Sequence, residues 1–289
     1  MNTPQRNDTG QRALWNDSAG RAWVEMQAVL DQVLKPFQDL LLDEVRATGE
    51  SGPLREVLDI GCGAGSTTLA VARELGPKGR CVGVDISEPL VAAARARAVS
   101  EGSAGSFIHA DAQEYPFEAE SFDCVISRFG VMFFDDPVRA FANLRRAAKA
   151  GGALRCIAWR SAAENPFMTT AERAAAPLLQ NLPARQPNAP GQFALGDRSR
   201  IATILAESGW TEVEIQPVDV LCTLLEKDLT GYLTRLGPVG IALKELDDRT
   251  RSQVVEAVRA AFEPYVTGAE VRFTAACWMV RARRIPDRT

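Results

Sequence analysis

The spacing of apolar residues divides the chain into three stretches. Residues 1–12 are polar and without period. From Trp23 the apolar positions fall at Trp23, Met26, Leu30, Val33 and Leu34, the spacing of a helix with one buried face. Pro36 lacks an N–H and is expected to end that helix, with a second one running through Phe37, Leu40, Leu41 and Val45. Thr48 to Pro53 (TGESGP) reads as a linker.

Short apolar runs then alternate with helical patterns. EVLDI (56–60), RCVGVDI (80–86), SFIHAD (106–111), FDCVIS (122–127) and ALRCIAW (153–159) read as strands. Between them, helices are expected over Ser66 to Leu75, from a Ser87 cap over Glu88 to Val99, and from Asp136-Pro137 to about Lys149, ended by Gly151-Gly152. Strands alternating with helices imply a doubly wound parallel α/β sheet. After Trp159 the pattern changes. Residues 160–196 carry Pro166, Pro177, Pro183, Pro187 and Pro190, a loop-rich stretch with one short helix near 168–180. Asp197 should cap a helix ending at Gly209, WTEVEIQPVDV (210–220) a sixth strand, and 228–263 helices broken at Gly237-Pro238. EVRFTAACWMVRARR (270–284) alternates as a last strand. The expected division is 1–52 as an N-terminal helical lid hinged at Pro36 and the linker, 53–160 as a ligand-binding core, and 161–289 as cap insertions plus the last two strands. A chain beginning near Glu50 is expected to keep its fold.

Composition narrows the function. The 289 residues carry a formal net charge of −4, which disfavours nucleic acid as a partner. The basic cluster Arg281, Arg283 and Arg284 reads as a solvated strand end. The six cysteines form no C-x-x-C pair and no His cluster accompanies them, so no metal site is expected. Cys81, Cys124, Cys156 and Cys277 lie in apolar runs and read as core. No secretory signal and no membrane-spanning run is found, and a cytoplasmic protein is expected.

The candidate chemistry begins at Gly61-Cys62-Gly63-Ala64-Gly65, a tight turn after the first strand that lets a ligand approach the backbone. A dinucleotide fingerprint G-x-G-x-x-G would need glycine at position 66, where Ser66 stands. Asp85 ends the second strand and can accept from both hydroxyls of a ribose. Asp111 follows the third strand, where a carboxylate can accept from an exocyclic amine such as adenine N6. His109 sits inside a strand with no visible partner and reads as structural. Arg128 and Trp159, at strand ends, are candidates to touch a second molecule. The run Phe129 to Phe134 either lines an apolar pocket or packs a turn.

VLDIGCGAGSTT, VGVDIS, HADAQEYPFEAESFDCVISRFGVMFF and RRAAKAGGAL, in that order, resemble the successive motifs of class I methyltransferases. The likeness covers about residues 55–160 and is strongest to the group that includes the ubiquinone/menaquinone-biosynthesis methyltransferases. It implies a Rossmann-like doubly wound seven-stranded sheet with the last strand antiparallel, and S-adenosylmethionine as cofactor. It further implies that Gly61, Gly63 and Gly65 lie along the methionine part, with Asp59 orienting that loop and reaching the amino group. Asp85 would bind the ribose, Ile86 pack on the adenine, and Asp111 and Ala112 hold its edge. Ser127 would stand with Arg128 near the methyl group. Trp15 and Trp23 resemble an aromatic cover over the cofactor; the alternative is plain helix packing. Arg128, Trp159, Phe129 and Trp23 are the candidates for the pocket of a small-molecule acceptor, methylated on O, N or C. A nicotinamide-dependent oxidoreductase and a non-catalytic methyltransferase-like binding protein are the rival readings.

Overall fold

A computed structural model describes residues 10–49, 54–179, 182, 185–186 and 188–285. Residues 1–9, the Glu50–Pro53 part of the expected linker, Pro183 and Pro187 lie outside the described residues. In chain order the elements are α1 (Gln11–Asn16), α2 (Ser18–Glu25), α3 (Gln27–Gly49), β1 (Glu56–Ile60), α4 (Ser66–Leu75), β2 (Arg80–Asp85), α5 (Glu88–Glu101), β3 (Ser106–His109), β4 (Phe122–Arg128), α6 (Pro137–Ala147) and β5 (Ala148–Trp159). They continue with α7 (Pro166–Ala175), α8 (Arg198–Glu207), β6 (Thr211–Leu225), α9 (Glu226–Arg235), α10 (Gly237–Ala242), α11 (Asp248–Ala261), β7 (Val266–Thr267) and β8 (Glu270–Arg283).

The strands form one sheet in the order β3-β2-β1-β4-β5-β8-β6. β3, β2, β1, β4 and β5 pair in parallel. β8 runs antiparallel between β5 and β6. This is the doubly wound sheet with an antiparallel last strand expected from the sequence, with one addition: the two-residue β7 folds back on β8 as an eighth strand. The order of strands reverses between β1 and β4. Loops leaving the carboxyl ends of those two strands diverge to opposite faces and leave a crevice, the usual ligand position in such sheets.

Three readings need correction. Pro36 does not end a helix: it lies inside α3, which is 23 residues long in all. Losing one N–H is outweighed because Val33, Leu34, Phe37, Leu41 and Val45 are all buried against the sheet. α3 is also pinned from its far end. Glu44 accepts from Arg281 Nε at 2.8 Å and Nη2 at 2.5 Å, and lies 3.3 Å from Arg155 Nε. α3 is therefore part of the core, Pro36 is no hinge, and a chain beginning near Glu50 would expose that core.

The basic cluster is the second correction. Arg284 is buried, donating to Ala148 O at 2.5 Å and Glu120 Oε1 at 2.8 Å, while Arg283 reaches Gly151 O at 3.2 Å. These cations close the end of the sheet instead of standing in water. The third concerns Ser87, which precedes α5 but makes no side-chain cap. Its hydroxyl donates instead to Trp15 O at 2.7 Å, tying α1 to the β2–α5 loop. All six cysteines are free and buried.

Leu41→Ala, in the middle of α3 and with no exposed surface, should cost about 2–5 kcal/mol by the methylenes lost and the cavity left. Urea unfolding measures it. A loss under about 1 kcal/mol would mean that α3 docks only loosely.

Candidate functional site

The crevice at the strand-order reversal is built on a backbone contact. Gly61 N and Cys62 N both donate to Val84 O, at 2.8 and 3.2 Å, which fixes the turn after β1 to the end of β2. Gly61 has φ 66°, and a Cβ there would lie 2.5 Å from Gly130 Cα, in the loop after β4. No side chain fits between the two loops. Ser127, fully buried, locks them: its hydroxyl donates to Ile60 O at 2.8 Å and accepts from Gly130 N at 3.1 Å. Gly63 differs, because a Cβ there would meet nothing within 4 Å. It faces the crevice. Gly65 sits against the Phe107 ring at the start of α4 and lines no cavity.

A first cavity of about 130 Å³ opens here. Gly61, Gly63, Asp85, Ile86, Asp111, Ala112 and Arg128 line it, together with Trp15, Trp23 and Phe129. Asp85 is half-buried and shaped by its neighbours: Oδ2 accepts from Gly63 N at 2.8 Å and Oδ1 from Ser87 N at 2.9 Å. Burial raises its pKa, opposed by those two amides and by His109. Asp111 Oδ1 accepts from Gln113 N at 2.9 Å. Each carboxylate keeps acceptor capacity toward the cavity. Arg128 donates to Ser66 Oγ at 2.9 Å and Leu34 O at 3.3 Å. Burial lowers its pKa, while Asp59 and Asp31 favour its charge. The fork has donors to spare for an anionic group.

Two predicted residues stand behind the cavity wall. Ser127 is the lock just described. Asp59 is 1 % exposed, lines neither cavity, and accepts from Thr68 Oγ1 at 2.7 Å. Its pKa is pushed up to about 7 by burial, against the Thr68 hydroxyl and the Arg128 charge. His109 is exposed, with Nε2 3.0 Å from Ile86 O, and lines neither cavity.

A second cavity of about 370 Å³ adjoins the first, and Gln11, Trp15, Trp23, Phe129 and Phe133 line both. Trp15 meets Trp23 edge-on at 5.5 Å and Phe133 at 5.3 Å. Phe129 adopts φ 68°, a left-handed conformation that costs energy in a non-glycine residue. Its ring is thereby stacked on Trp159, centroids 4.7 Å apart and planes at 12°, with Phe37 edge-on at 4.9 Å. Trp159 lines only the second cavity and Arg128 only the first, so the acceptor candidates divide between the two.

Sequence reasoning missed Gln11, Gln113 and Asp135 in the first cavity, while Phe129, Gly130, Phe133 and Phe134 of the singled-out apolar run line it. Tyr232, Glu172 and Arg185 of the second cavity come from the stretches outside the motifs, where no spacing marks them.

Comparison with known proteins agrees with this geometry. A sequence family described as "Methyltransferase domain" matches residues 57–152. The demethylmenaquinone methyltransferase of Staphylococcus aureus is 34 % identical over 102 residues, 35 % of this chain and 42 % of the relative. The match thus spans less than half the length of the curated relatives. The YcgJ protein of Bacillus subtilis superposes with a TM-score of 0.56 at 18 % identity, covering 85 % of this chain and 98 % of that one. A Haemonchus contortus phosphoethanolamine N-methyltransferase 2, solved with phosphomonomethylethanolamine and S-adenosylhomocysteine, gives 0.51 at 21 %, covering 85 % and 52 %. Residues 57–152 thus match a methyltransferase domain, and the solved neighbour shares its Rossmann-like fold. Within that class, this domain is similar to the menaquinone-biosynthesis methyltransferases.

Asp59 generates a stability prediction. In the unfolded chain its pKa is near the ordinary ~3.9; in the fold it is about 7. Between those values the folded state binds more protons, so this group's contribution is full at low pH and is lost as pH rises through the window. Asp59→Asn should therefore raise the urea midpoint at about pH 8 and change it little at about pH 4.5. An equal loss at both would show that the carboxylate's bonds to its neighbours outweigh its burial.

Proposed function

We propose that the protein transfers the methyl group of S-adenosylmethionine to a small-molecule acceptor bound in the second cavity. The observation that carries this reading is the first cavity: Gly63 presents open backbone there beside the carboxylates of Asp85 and Asp111, at the carboxyl ends of β1, β2 and β3. We assign Asp85 to the ribose hydroxyls, Asp111 to the adenine amine, Ile86 and Ala112 to the adenine ring, and Arg128 to the methionine carboxylate. Gly61 and Gly63 carry the methionine part. Asp59, Gly65 and Ser127 hold the turn in place without touching the cofactor. The Staphylococcus aureus relative is named for a menaquinone precursor and the Haemonchus contortus neighbour was solved with a small phosphorylated amine. Both support a small acceptor.

When bound by Gly61, Gly63, Asp85, Asp111 and Arg128, S-adenosylmethionine would supply a methyl group already activated on a sulfonium. The chain's own task is to align the acceptor and exclude water. Orientation of this kind is worth up to about 7–11 kcal/mol, enough to be the main contribution. The aromatic junction of Trp15, Trp23, Phe129 and Phe133 suits it, since it is rigid, apolar and shared by both cavities. We assign α1 and α2 to covering the cofactor, and residues 161–289 to the outer wall of the acceptor cavity. Six free thiols suit a reducing compartment such as the cytoplasm. Among the described residues, no helix is long and apolar enough to cross a membrane.

Asp85→Ala should weaken S-adenosylhomocysteine binding by about 10–100-fold, the loss of hydrogen bonds to a charged group. Calorimetry measures this, with circular dichroism confirming that the variant is folded. Turnover is read separately, from labelled methyl transfer to a panel of phenols, amines and carbon acids. Unchanged affinity in the variant, or no binding to the native protein, would overturn the reading.

A further inference from the structure

Gly61, Gly63 and Gly65 of the turn after β1 all have left-handed φ, at 66°, 54° and 85°. Such a turn has many conformations open to it, so its shape depends on what holds it. Toward β2 it is held by Val84 O and the Asp85 carboxylate. Toward α5 it is held by Arg97, whose Nη1 donates to Ala64 O at 2.9 Å. Arg97 is itself aimed by α3. Its Nη2 lies 3.1 Å from Asp31 Oδ2, which also accepts from Gln27 Nε2 at 2.9 Å. Close by on the same helix, Leu34 O accepts from Arg128, whose other branch donates to Ser66 Oγ. Two arginines fixed by one turn of α3 thus grip Ala64 and Ser66, the residues on either side of Gly65, where the turn passes into α4. Asp31 also favours the charge of Arg128, which Arg97 opposes.

We propose that Arg97 is a positioning residue for the cofactor: with Asp31 it holds the Ala64–Gly65 peptide in the orientation that receives the methionine part of S-adenosylmethionine. This rests on the methyl-transfer reading and adds to it a residue of α5 and one of α3, both outside the glycine turn. Neither Arg97, Asp31 nor Ala64 lines a cavity, so the effect runs through the turn and not through contact with the ligand. The bond from Arg97 keeps the Ala64 carbonyl on the α5 side. A peptide released from it is free to turn its oxygen toward the anionic end of the ligand, which Arg128 is assigned to hold. Ordering the turn is then left to the ligand, and its affinity falls. Arg97 and Asp31 keep 23 % and 28 % of their side-chain surface exposed. Breaking a pair so open to water costs the fold little. Its loss is therefore expected in binding and not in folding.

The test compares S-adenosylhomocysteine with methylthioadenosine, which has the adenosine end of the cofactor and lacks the amino-acid end. Calorimetry measures both on the full chain, with circular dichroism confirming that each variant is folded. Arg97→Ala should weaken S-adenosylhomocysteine about tenfold, the low end for a hydrogen bond to a charged group. It should leave methylthioadenosine affinity unchanged. Asp31→Ala removes the carboxylate that aims Arg97 and should give the same split at smaller size; it carries the test if Arg97→Ala does not fold. Unchanged affinity for both ligands would overturn the inference and leave the methyl-transfer reading intact. Equal weakening of both, the result of a merely structural contact, would do the same. So would a native protein that binds S-adenosylhomocysteine but not methylthioadenosine, since the cavity would then not divide into adenosine and methionine ends. Failure of S-adenosylhomocysteine itself to bind the native protein would overturn both.

Discussion

The approach of two backbones, Gly61 after β1 and Gly130 after β4, is the constraint on which the site depends. A methyl group at either position would fall within about 2.6 Å of the other loop. The Ser127 hydroxyl holds the pair together from inside, bonding to one loop as donor and the other as acceptor. This closeness brings Gly63 and Arg128 to one cavity floor, though they leave the sheet on different strands. It also explains Phe129. The residue before Gly130 must turn sharply, and its left-handed φ is the cost of placing an aromatic ring between the two cavities. The junction of the two cavities is thus a direct consequence of where the strand order reverses.

The same junction concentrates electrostatic tension. Asp59 and Arg128 are both penalised by burial, each partly relieved by the other's charge. Thr68 adds a hydrogen bond to Asp59 and Ser66 one to Arg128, both from the first turn of α4. A buried pair of this sort contributes little net stability. What it does provide is a cation with unspent donors, held at the cavity floor by groups that do not line the cavity. In the proposed site Asp59 therefore acts through Arg128 and the turn, not through contact.

Much of this was legible beforehand, for a physical reason. β1, β2, β4 and most of β5 are buried on both faces, so they appear as apolar runs, and the turns between them need glycine or Asp-Pro at fixed places. Gly61, Gly63, Asp85 and Asp111 were therefore readable as neighbours in one crevice. Side-chain direction was not. The strand pattern gives Asp59 and Ser127 the same standing as Asp85, and only the packing shows that they turn inward. Pro36 misled because propensity is local, while the burial that keeps α3 whole comes largely from β5 and β6, more than a hundred residues away. Arg281 and Arg284 misled for a similar reason: their partners Glu44 and Glu120 are remote in sequence. The second cavity was located only to the right stretches, since irregular helices and loops carry no period that marks Tyr232.

The correction at Pro36 changes which part of the N-terminus can act as a cover. With α3 anchored along its length, the remaining segment is α1 and α2. α1 has no buried residue, and α2 buries only Gly20 and Ala22. Opening therefore costs least there, since little apolar surface is exposed. Besides the ring contacts of Trp15 with Trp23 and Phe133, α1 is held by three polar contacts: Ser87 Oγ to Trp15 O at 2.7 Å, Asn16 Nδ2 to Ile86 O at 2.8 Å, and Glu88 N to Asn16 Oδ1 at 2.8 Å. All three end on Ile86, Ser87 or Glu88, immediately after Asp85. The loop that positions the proposed ribose carboxylate is also the dock for the helix carrying Trp15. A ligand that orders Asp85 and Ile86 would steady that dock, and the dock would bring Trp15 and Trp23 over the cavity. On the proposed reading, cofactor capture and completion of the acceptor wall are two effects of one short loop.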